Sequence, residues 1–483
     1  MGGGSIMKYE IVMGLEVHVE LATDSKLFCG CSAKFGADAN ENVCPACAGM
    51  PGMPAVTNKK AVELGIAAGI VTNSEIAKTM SFDKKNYFYP DLPAGYQITQ
   101  FFAPICRNGW VEIETESGKK KISLKQIHIE EDAGKLVHDG HTDATLVDFN
   151  RTSVPLVEIV SNPDFRSSEE VVAYLEKLRS LLSFANVSDC KMQEGSMRCD
   201  VNISVREAGS DKLGTRTEIK NMNSLKAISR AIAYESQRHI DALETGSETL
   251  IQETRRWDDN KGETFSMRGK EDATDYRYFP NTEILPICID DEWISAVRAG
   301  LPEPAHEIFD RLTGQLDLSE YDSRIITGSK NLSEIFDETM KYFNNPKEVA
   351  NWIIVELLSI ATGDNKGGED IVIDRKKFAK LMELVDQKII NRNVGKKLLV
   401  KVLEEGIDPA AYVGENRLGM VNDSDVISKA VLEVLSENEK SVNEYKGGNQ
   451  KVVGFFIGKV MKKLDGKADP KIVNALLFEH LEK

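Results

Sequence analysis

The segment Gly14-Leu15-Glu16-Val17-His18-Val19-Glu20-Leu21 alternates without a break. Read as a strand, it sends Leu15, Val17, Val19 and Leu21 to one face and Glu16, His18 and Glu20 to the other. Two carboxylates and an imidazole so placed repel one another unless a cation or a proton sits between them. Three further segments behave alike. In Ile127–Lys135, His128 and Glu130 share a face, and Glu131 and Asp132 stand at the strand's end, where a bend is expected to turn them inward. Arg198–Ser204 brings Arg198, Asp200, Asn202 and Ser204 together, and Arg216–Lys220 does the same for Arg216, Glu218 and Lys220. One such strand is equally well a solvated edge with surface ion pairs, each contributing roughly 0–1 kcal/mol. Four in one sheet would form a floor of Glu and Asp ringed by Arg and Lys. Mg²⁺ (or Mn²⁺) takes oxygen ligands and completes its shell with waters and substrate phosphates, and Arg and Lys complement phosphoryl oxygens. The four segments together therefore point to metal-dependent handling of a nucleotide. Glu16, His18 and Glu131 are expected to share one ion, with Glu130, Asp200 and Glu218 near a second.

A separate cluster carries thiols. Cys29-x-Cys31 and Cys44-x-x-Cys47 flank a loop of twelve residues, the spacing of a zinc knuckle. Four thiolates close a tetrahedron, so the expected role is structural Zn²⁺. The other four cysteines, Cys106, Cys190, Cys199 and Cys288, lie among apolar neighbours and read as small buried hydrophobes. Lys84-Lys85-Asn86-Tyr87-Phe88-Tyr89-Pro90-Asp91 and Asp275-Tyr276-Arg277-Tyr278-Phe279-Pro280 mix cations with rings. Such sets stack bases and hold phosphates, but they also build ordinary cores. The chain has no Gly-x-x-x-x-Gly-Lys-Ser/Thr loop, no His-Glu-x-x-His and no Gly-x-Ser-x-Gly, so ATP chemistry would need another cradle.

The elements that must position these groups are short and mixed. Alternating runs at 14–21, 126–131, 156–160, 197–205, 216–220 and 283–289 are interleaved with helical stretches at 59–71, 167–183 and 224–243. This is an α+β pattern with a mixed sheet rather than a regular βαβ succession. From about Trp293 the periodicity becomes helical, including one stretch over 325–343, and a second helical unit follows from about residue 412. The expected division is an added leader at 1–6, a mixed-sheet cradle domain over 7–295, an all-α domain over 296–411 and an all-α tail over 412–483.

At 483 residues the chain needs more than one core, and its net charge of −16 argues against a general nucleic-acid coat. A local basic patch remains open. After Ser441 lysines outnumber acids, and Gly454 and Gly458 stand one helical turn apart. Close helix packing with solvated lysines explains that tail as well as RNA contact does. No apolar run reaches the roughly 20 residues of a membrane span, and the cysteines suit a reducing, cytoplasmic setting.

Taken in order, Gly14–Leu21, Lys85–Asp91, His128–Lys135, Glu194–Ser204, Glu218–Ser224 and Asp275–Pro280 resemble the B subunit of the tRNA-dependent aspartyl/glutamyl-tRNA amidotransferases. The resemblance runs from about Tyr9 to the C-terminus. It implies a cradle, a helical domain and a tail, with an amidase A subunit and a small C subunit as partners. It also implies ATP-dependent activation of the side-chain carboxylate of Glu-tRNA(Gln) or Asp-tRNA(Asn), followed by attack of ammonia. Family metal positions fall on Glu16, His18, Glu130, Glu131, Asp200 and Glu218, and a catalytic lysine on Lys85. Lys84, Lys85, Arg151, Arg198 and Lys220 are the cations expected to meet nucleotide phosphates. Lys451, Lys459, Lys462 and Lys463 are expected to meet tRNA. The cysteine pairs occur in only some members, so zinc rests on their spacing. Two other readings compete: a stand-alone Mg²⁺-dependent nucleotidyl- or phosphotransferase, and a non-catalytic tRNA-binding scaffold. An archaeal-type relative would carry a large extra domain before its helical part, and this chain shows no such insertion.

Overall fold

The computed structural model describes residues 8–138, 144–269, 276–363, 367–420, 424–464 and 468–481. The expected leader at 1–6 and Asp275 lie outside them. The chain separates into two compact units, one ending at Pro304 and the other beginning at Ala305.

The first unit contains, in chain order, β1 (Tyr9–Glu20), α1 (Lys59–Val71), β2 (Glu75–Ile76), β3 (Thr79–Met80), β4 (Asp83–Asn86), β5 (Tyr96–Thr99), β6 (Cys106–Thr115) and β7 (Gly118–Glu131). Then come β8 (Lys135–His138), β9 (Thr145–Asp148), β10 (Pro155–Ser161), α2 (Ser168–Phe184), β11 (Met197–Glu207), β12 (Thr217–Lys220) and α3 (Leu225–Thr245). It closes with β13 (Glu253–Asp258), β14 (Glu263–Gly269), β15 (Phe279–Pro280), β16 (Ile287–Cys288) and α4 (Asp291–Ala299). Among the described residues, nine strands form one sheet in the order β14-β13-β12-β11-β1-β10-β7-β6-β2. All its pairings are antiparallel except β12 with β13. The fold is α+β, as expected.

The alternation of β1 and its neighbours has the consequence it must have. Leu15, Val17, Val19, Ile127, Ile129, Val157, Ile159, Val201, Ile203 and Ile219 are all buried on one side, in a core shared with the three helices α1 to α3. Each helix begins at a side-chain cap, Asn58, Ser167 and Ser224 accepting from Lys60, Glu170 and Ala227 N–H groups. Such a cap is worth about 1 kcal/mol. At Gly65 a Cβ would stand 2.9 Å from Ile129 Cδ1, so a larger residue would push α1 off the underside of the strand that carries His128 and Glu130.

Several expectations change. The first unit includes α4, which packs on α1, and its Trp293, Ile294 and Val297 lean on the core. The run at 283–289 yields only the two-residue β16, and Cys288 there is exposed, not buried. The helical stretch over 325–343 is two helices, Glu320–Thr327 and Lys330–Met340, because Gly328 caps the first and Ser329 starts the second. In the second unit, helices Ser424–Glu437, Val452–Lys463 and Pro470–Leu481 enclose a small core of their own, with Ile427, Val431, Phe456, Val460, Val473 and Leu477 fully buried.

A charged cluster locks α3 onto the sheet. Glu235, fully buried, takes Arg238 at 2.5 Å, Thr264 Oγ1 at 2.7 Å, His239 Nε2 at 3.3 Å and Arg255 at 3.7 Å. Burial alone would raise its pKa, but the His239 and Arg238 bonds outweigh it and bring the carboxyl down to about 2. With a folded value below the unfolded 4.5, the stabilisation is complete above about pH 4.5 and is lost as the pH falls toward 2. Glu235→Gln is therefore expected to destabilise by on the order of 3 kcal/mol at pH 7. In urea unfolding across a pH series, the gap from the parent should close below pH 4. A gap independent of pH would show that the carboxylate's charge is not what stabilises.

Candidate active site and thiolate cluster

The solvent side of the central strands carries the acids, and register decides which of them meet. His18 stands opposite Glu158 on β10 and Arg198 on β11, Glu158 stands opposite His128 on β7, and Glu16 stands opposite Asp200. Asn202 stands opposite Glu218 on β12. Two groups result, each with candidate ligand atoms within 4.8 Å of one another: His18, Glu130 and Glu158 in one, Glu16, Asp200 and Glu218 in the other.

In the first group His18 Nε2 lies 3.6 Å from Glu130 and 3.7 Å from Glu158, and His128 Nε2 lies 3.3 Å from Glu158. Thr99 on β5 donates to Glu130 at 3.0 Å. Burial, with Glu130 and Glu16 close by, raises the Glu158 carboxyl well above its usual range. Burial brings His128 down to about 4, leaving it neutral. In the second group Lys220 bridges Asp200 at 2.6 Å and Glu218 at 2.9 Å, while Asn202 donates to Glu16 at 3.0 Å. Burial would lower Lys220, but Asp200 and Glu218 outweigh it and raise the ammonium above its ordinary value. An ammonium already fills part of the second group, whereas the first holds only histidines and carboxylates. Oxygen-rich sets of this size fit Mg²⁺ or Mn²⁺, and the imidazole tilts the first toward Mn²⁺ as well.

Lys85 on β4 lies over the Tyr276 ring at 4.8 Å and the Tyr87 ring at 5.7 Å, and its charge reaches Glu158 and His128. The two aromatic segments come together, with the Tyr87 and Tyr276 rings 5.7 Å apart and Phe279 paired with Lys84, and Phe101 stacks on Tyr278 with centroids 4.3 Å apart. Arg198 pairs with Asp132 at 2.6 Å. Glu20, beside them, is raised to about 7 by burial and by Asp132.

Three expected members stand elsewhere. Glu131 stands apart from the groups that contain Glu16 and His18. Glu131 is the last residue of β7 and still pairs with Pro155, so it points opposite to Glu130, and its Oε1 accepts from Ile98 N at 2.8 Å. Burial raises that carboxyl to about 7. Lys84, adjacent to Lys85 on a strand, points away from the acids, 4.2 Å over the Tyr96 ring and 3.4 Å from Glu283. Arg151 donates to the carbonyls of Ala133 and Gly134 at 3.0 Å each, bracing the turn after β7. Conversely, sequence reasoning passed over Glu158. Its signal was a lone carboxylate at the centre of the apolar run 156–160.

The four knuckle cysteines converge, with all Sγ atoms within 4.8 Å of one another and the Cys44–Cys47 pair at 3.8 Å. Thiolates about 2.3 Å from a tetrahedral Zn²⁺ stand about 3.8 Å apart, so the donor set fits. All four are free of disulfides, and Cys44 N–H points at Cys47 Sγ at 3.2 Å. Bonds from Cys29 and Cys44 together with Lys26, whose Nζ is 3.6 Å away, draw the Cys47 thiol down.

Glu158→Gln is expected to weaken Mn²⁺ binding roughly tenfold or more, measured by titration with the isolated protein, while Glu131→Gln leaves it within about twofold. Equal loss in both variants would return Glu131 to the ion's shell.

Two family models match successive parts of the chain. Residues 11–295 match the GatB/GatE catalytic domain, and residues 334–481 match the GatB domain. The B subunit of an aspartyl/glutamyl-tRNA(Asn/Gln) amidotransferase from Lachnoclostridium phytofermentans is 52% identical over 98% of this chain and 99% of its own length. Proteins of the same description from Agathobacter rectalis and Caldicellulosiruptor bescii are each 50% identical, over 98% and 99% of this chain and 99% and 100% of their own. With its acidic sheet and its helical tail each matched, in order and nearly end to end, the chain belongs to the GatB family.

Proposed function

We propose that the acidic face of the sheet is where ATP activates the side-chain carboxylate of a misacylated tRNA, Glu-tRNA(Gln) or Asp-tRNA(Asn), for conversion to the amide. The chain acts as the B subunit of an aspartyl/glutamyl-tRNA amidotransferase. It works beside an amidase A subunit, which releases ammonia from glutamine, and a small C subunit. The observation that carries this reading is the meeting of His18, Glu130 and Glu158 beside Glu16, Asp200 and Glu218 on adjacent strands, with Lys85, Arg198 and Lys220 around them.

A carboxylate is a poor acyl donor, and transfer of a phosphoryl group to it creates a leaving group that ammonia can displace. Divalent cations would be held by the two acid groups, where they supply charge neutralisation for the phosphates. Lys85 and Arg198 offer fixed cations to the oxygens that gain charge in the transfer. Lys220 keeps Asp200 and Glu218 apart from one another's charge. The stacked rings at Phe101 and Tyr278 stand beside the acids, where a base would lie. At the knuckle, four thiolates would hold a structural Zn²⁺, which suits a reducing cytoplasm. Among the described residues no helix is long and apolar enough to cross a membrane.

We assign tRNA contact to the tail over 412–483, beyond the helices of 305–411. Along helix Val452–Lys463 the residues Lys451, Gly454, Phe455, Gly458, Lys459 and Lys462 are all exposed on one side. A Cβ at Gly454 or Gly458 would meet nothing within 4 Å, so the strip is open enough for a phosphate backbone to approach. Lys463 is tied to Glu433 at 2.9 Å and Glu437 at 2.8 Å and would have to release them to join.

The decisive experiment is co-expression with the A and C subunits and an amidation assay with both misacylated tRNAs. Amide formed only with ATP, Mg²⁺ and glutamine supports the reading; turnover of ATP by the single chain without tRNA would favour a stand-alone phosphotransferase. Charge reversal at Lys451, Lys459 and Lys462 should weaken tRNA binding and flatten its salt dependence, each lost phosphate contact reducing the slope by about 0.9. Unchanged affinity across a salt series would show those lysines to be merely solvated.

A further inference from the structure

The thiolate cluster is not isolated from the acidic face. Lys26, fully buried, donates from Nζ to Cys47 Sγ at 3.6 Å and to Phe149 O at 3.1 Å. The loop between the cysteine pairs then grips the loop 147–151 from the other side. Asn40 Oδ1 accepts from Phe149 N at 2.8 Å, its Nδ2 donates to Val147 O at 3.0 Å, and its own N–H donates to Asp148 at 3.0 Å. Asn42 N–H donates to Asn150 Oδ1 at 2.8 Å, and Asn150 Nδ2 returns a bond to Asp38 O at 2.6 Å. The gripped loop ends at Arg151, whose guanidinium braces Ala133 and Gly134 and lies 3.4 Å from Asp132. Asp132 holds Arg198, whose buried Nε has no hydrogen-bond partner among the described residues. Beside this chain of bonds lies a cleft of about 530 Å³, lined by Lys34, Gly36 and Ala37 of the knuckle loop and by Glu20, Arg151 and Arg198 of the site.

We propose that the metal knuckle serves the phosphate end of the active site at a distance: by clamping the loop 147–151 it fixes Arg151 and Asp132, and through them the position of Arg198. Lys26, Asn40, Arg151 and Asp132 are positioning residues, and Arg198 is the group they deliver. The proposal rests on two parts of the reading above, a metal on the four cysteines and contact of Arg198 with a nucleotide phosphate. Metal loss should therefore act on nucleotide affinity and leave the acid groups in place.

The test uses the three-subunit complex. Asn40 sits at φ +61°, so Asn40→Gly removes the side chain without backbone strain, while Asn40→Asp keeps the acceptor for Phe149 N–H. Asn40→Gly is expected to retain the metal by elemental analysis and to raise KM for ATP about tenfold with kcat within about twofold, Asn40→Asp falling between it and the parent. Chelation of the metal should speed amide exchange across 147–154, read by mass spectrometry without any turnover. Asn40→Gly added to Arg198→Ala should raise KM no further, because both act through one contact. If Arg198→Ala raises KM but Asn40→Gly and chelation leave both KM and exchange unchanged, the clamp is overturned and the phosphate contact stands. If Arg198→Ala leaves KM unchanged, the phosphate contact itself fails, and the proposal with it.

Discussion

Like charge held at close range by main-chain pairing is the constraint from which the rest of the first unit follows. Glu16, Glu130, Glu158, Asp200 and Glu218 would separate if they could, and strand register denies them the choice. The repulsion is tolerated because the opposite face of the same strands buries a continuous apolar layer against α1 to α3. It is moderated by the groups inserted among the acids: Lys220 between Asp200 and Glu218, Arg198 on Asp132, and the amide of Asn202 on Glu16. A site arranged in this way is short of positive charge, and it gains most from a ligand that brings cations with it.

Much of this was legible in the chain because a strand's period of two is strict. The alternations at 14–21, 198–204 and 216–220 named Glu16, His18, Asp200, Glu218 and their cationic neighbours without any knowledge of pairing. The same rule, applied without exception, would have sent Glu131 to the far side of β7; the expectation of a bend at 131–132 overrode it, but the pairing holds as far as Glu131, the strand's last residue. Lys84 and Lys85 are separated by the same parity. Glu158 was hidden for a different reason: it stands alone among apolar residues at 156–160, so its acid had no polar companions to mark a face. The long hairpin of β6 and β7 was hard to read because its outer strand mixes Arg, Asn and Gly with the apolar residues and its pairing is sustained by contacts such as Lys121 over Trp110 at 3.9 Å. The thiolate spacing was sufficient by itself, since two close pairs on a short loop leave few other geometries.

The two units divide chemical labour by having separate cores. The two acid groups are on the sheet of the first unit, and the exposed lysine strip is on helix Val452–Lys463, whose own core is built from Phe456 and Val460 against the neighbouring helices. A cavity cut in one of these cores removes no buried residue from the other.

The placement of β1 has a cost that belongs to biosynthesis rather than to catalysis. β1 is made first, yet Val17 pairs with Ile159 on one side and with Cys199 on the other. Until both partners have left the ribosome, the central strand of the sheet has two open edges and an apolar face with nothing against it. Such a segment is a template for wrong pairing between nascent chains. Non-local topology of this kind also slows the search for the native pairing. The strand that carries Glu16 and His18 is thus the one that most needs shielding by a chaperone, and a drop in growth temperature or synthesis rate should favour recovery of correctly folded chains over clumped ones.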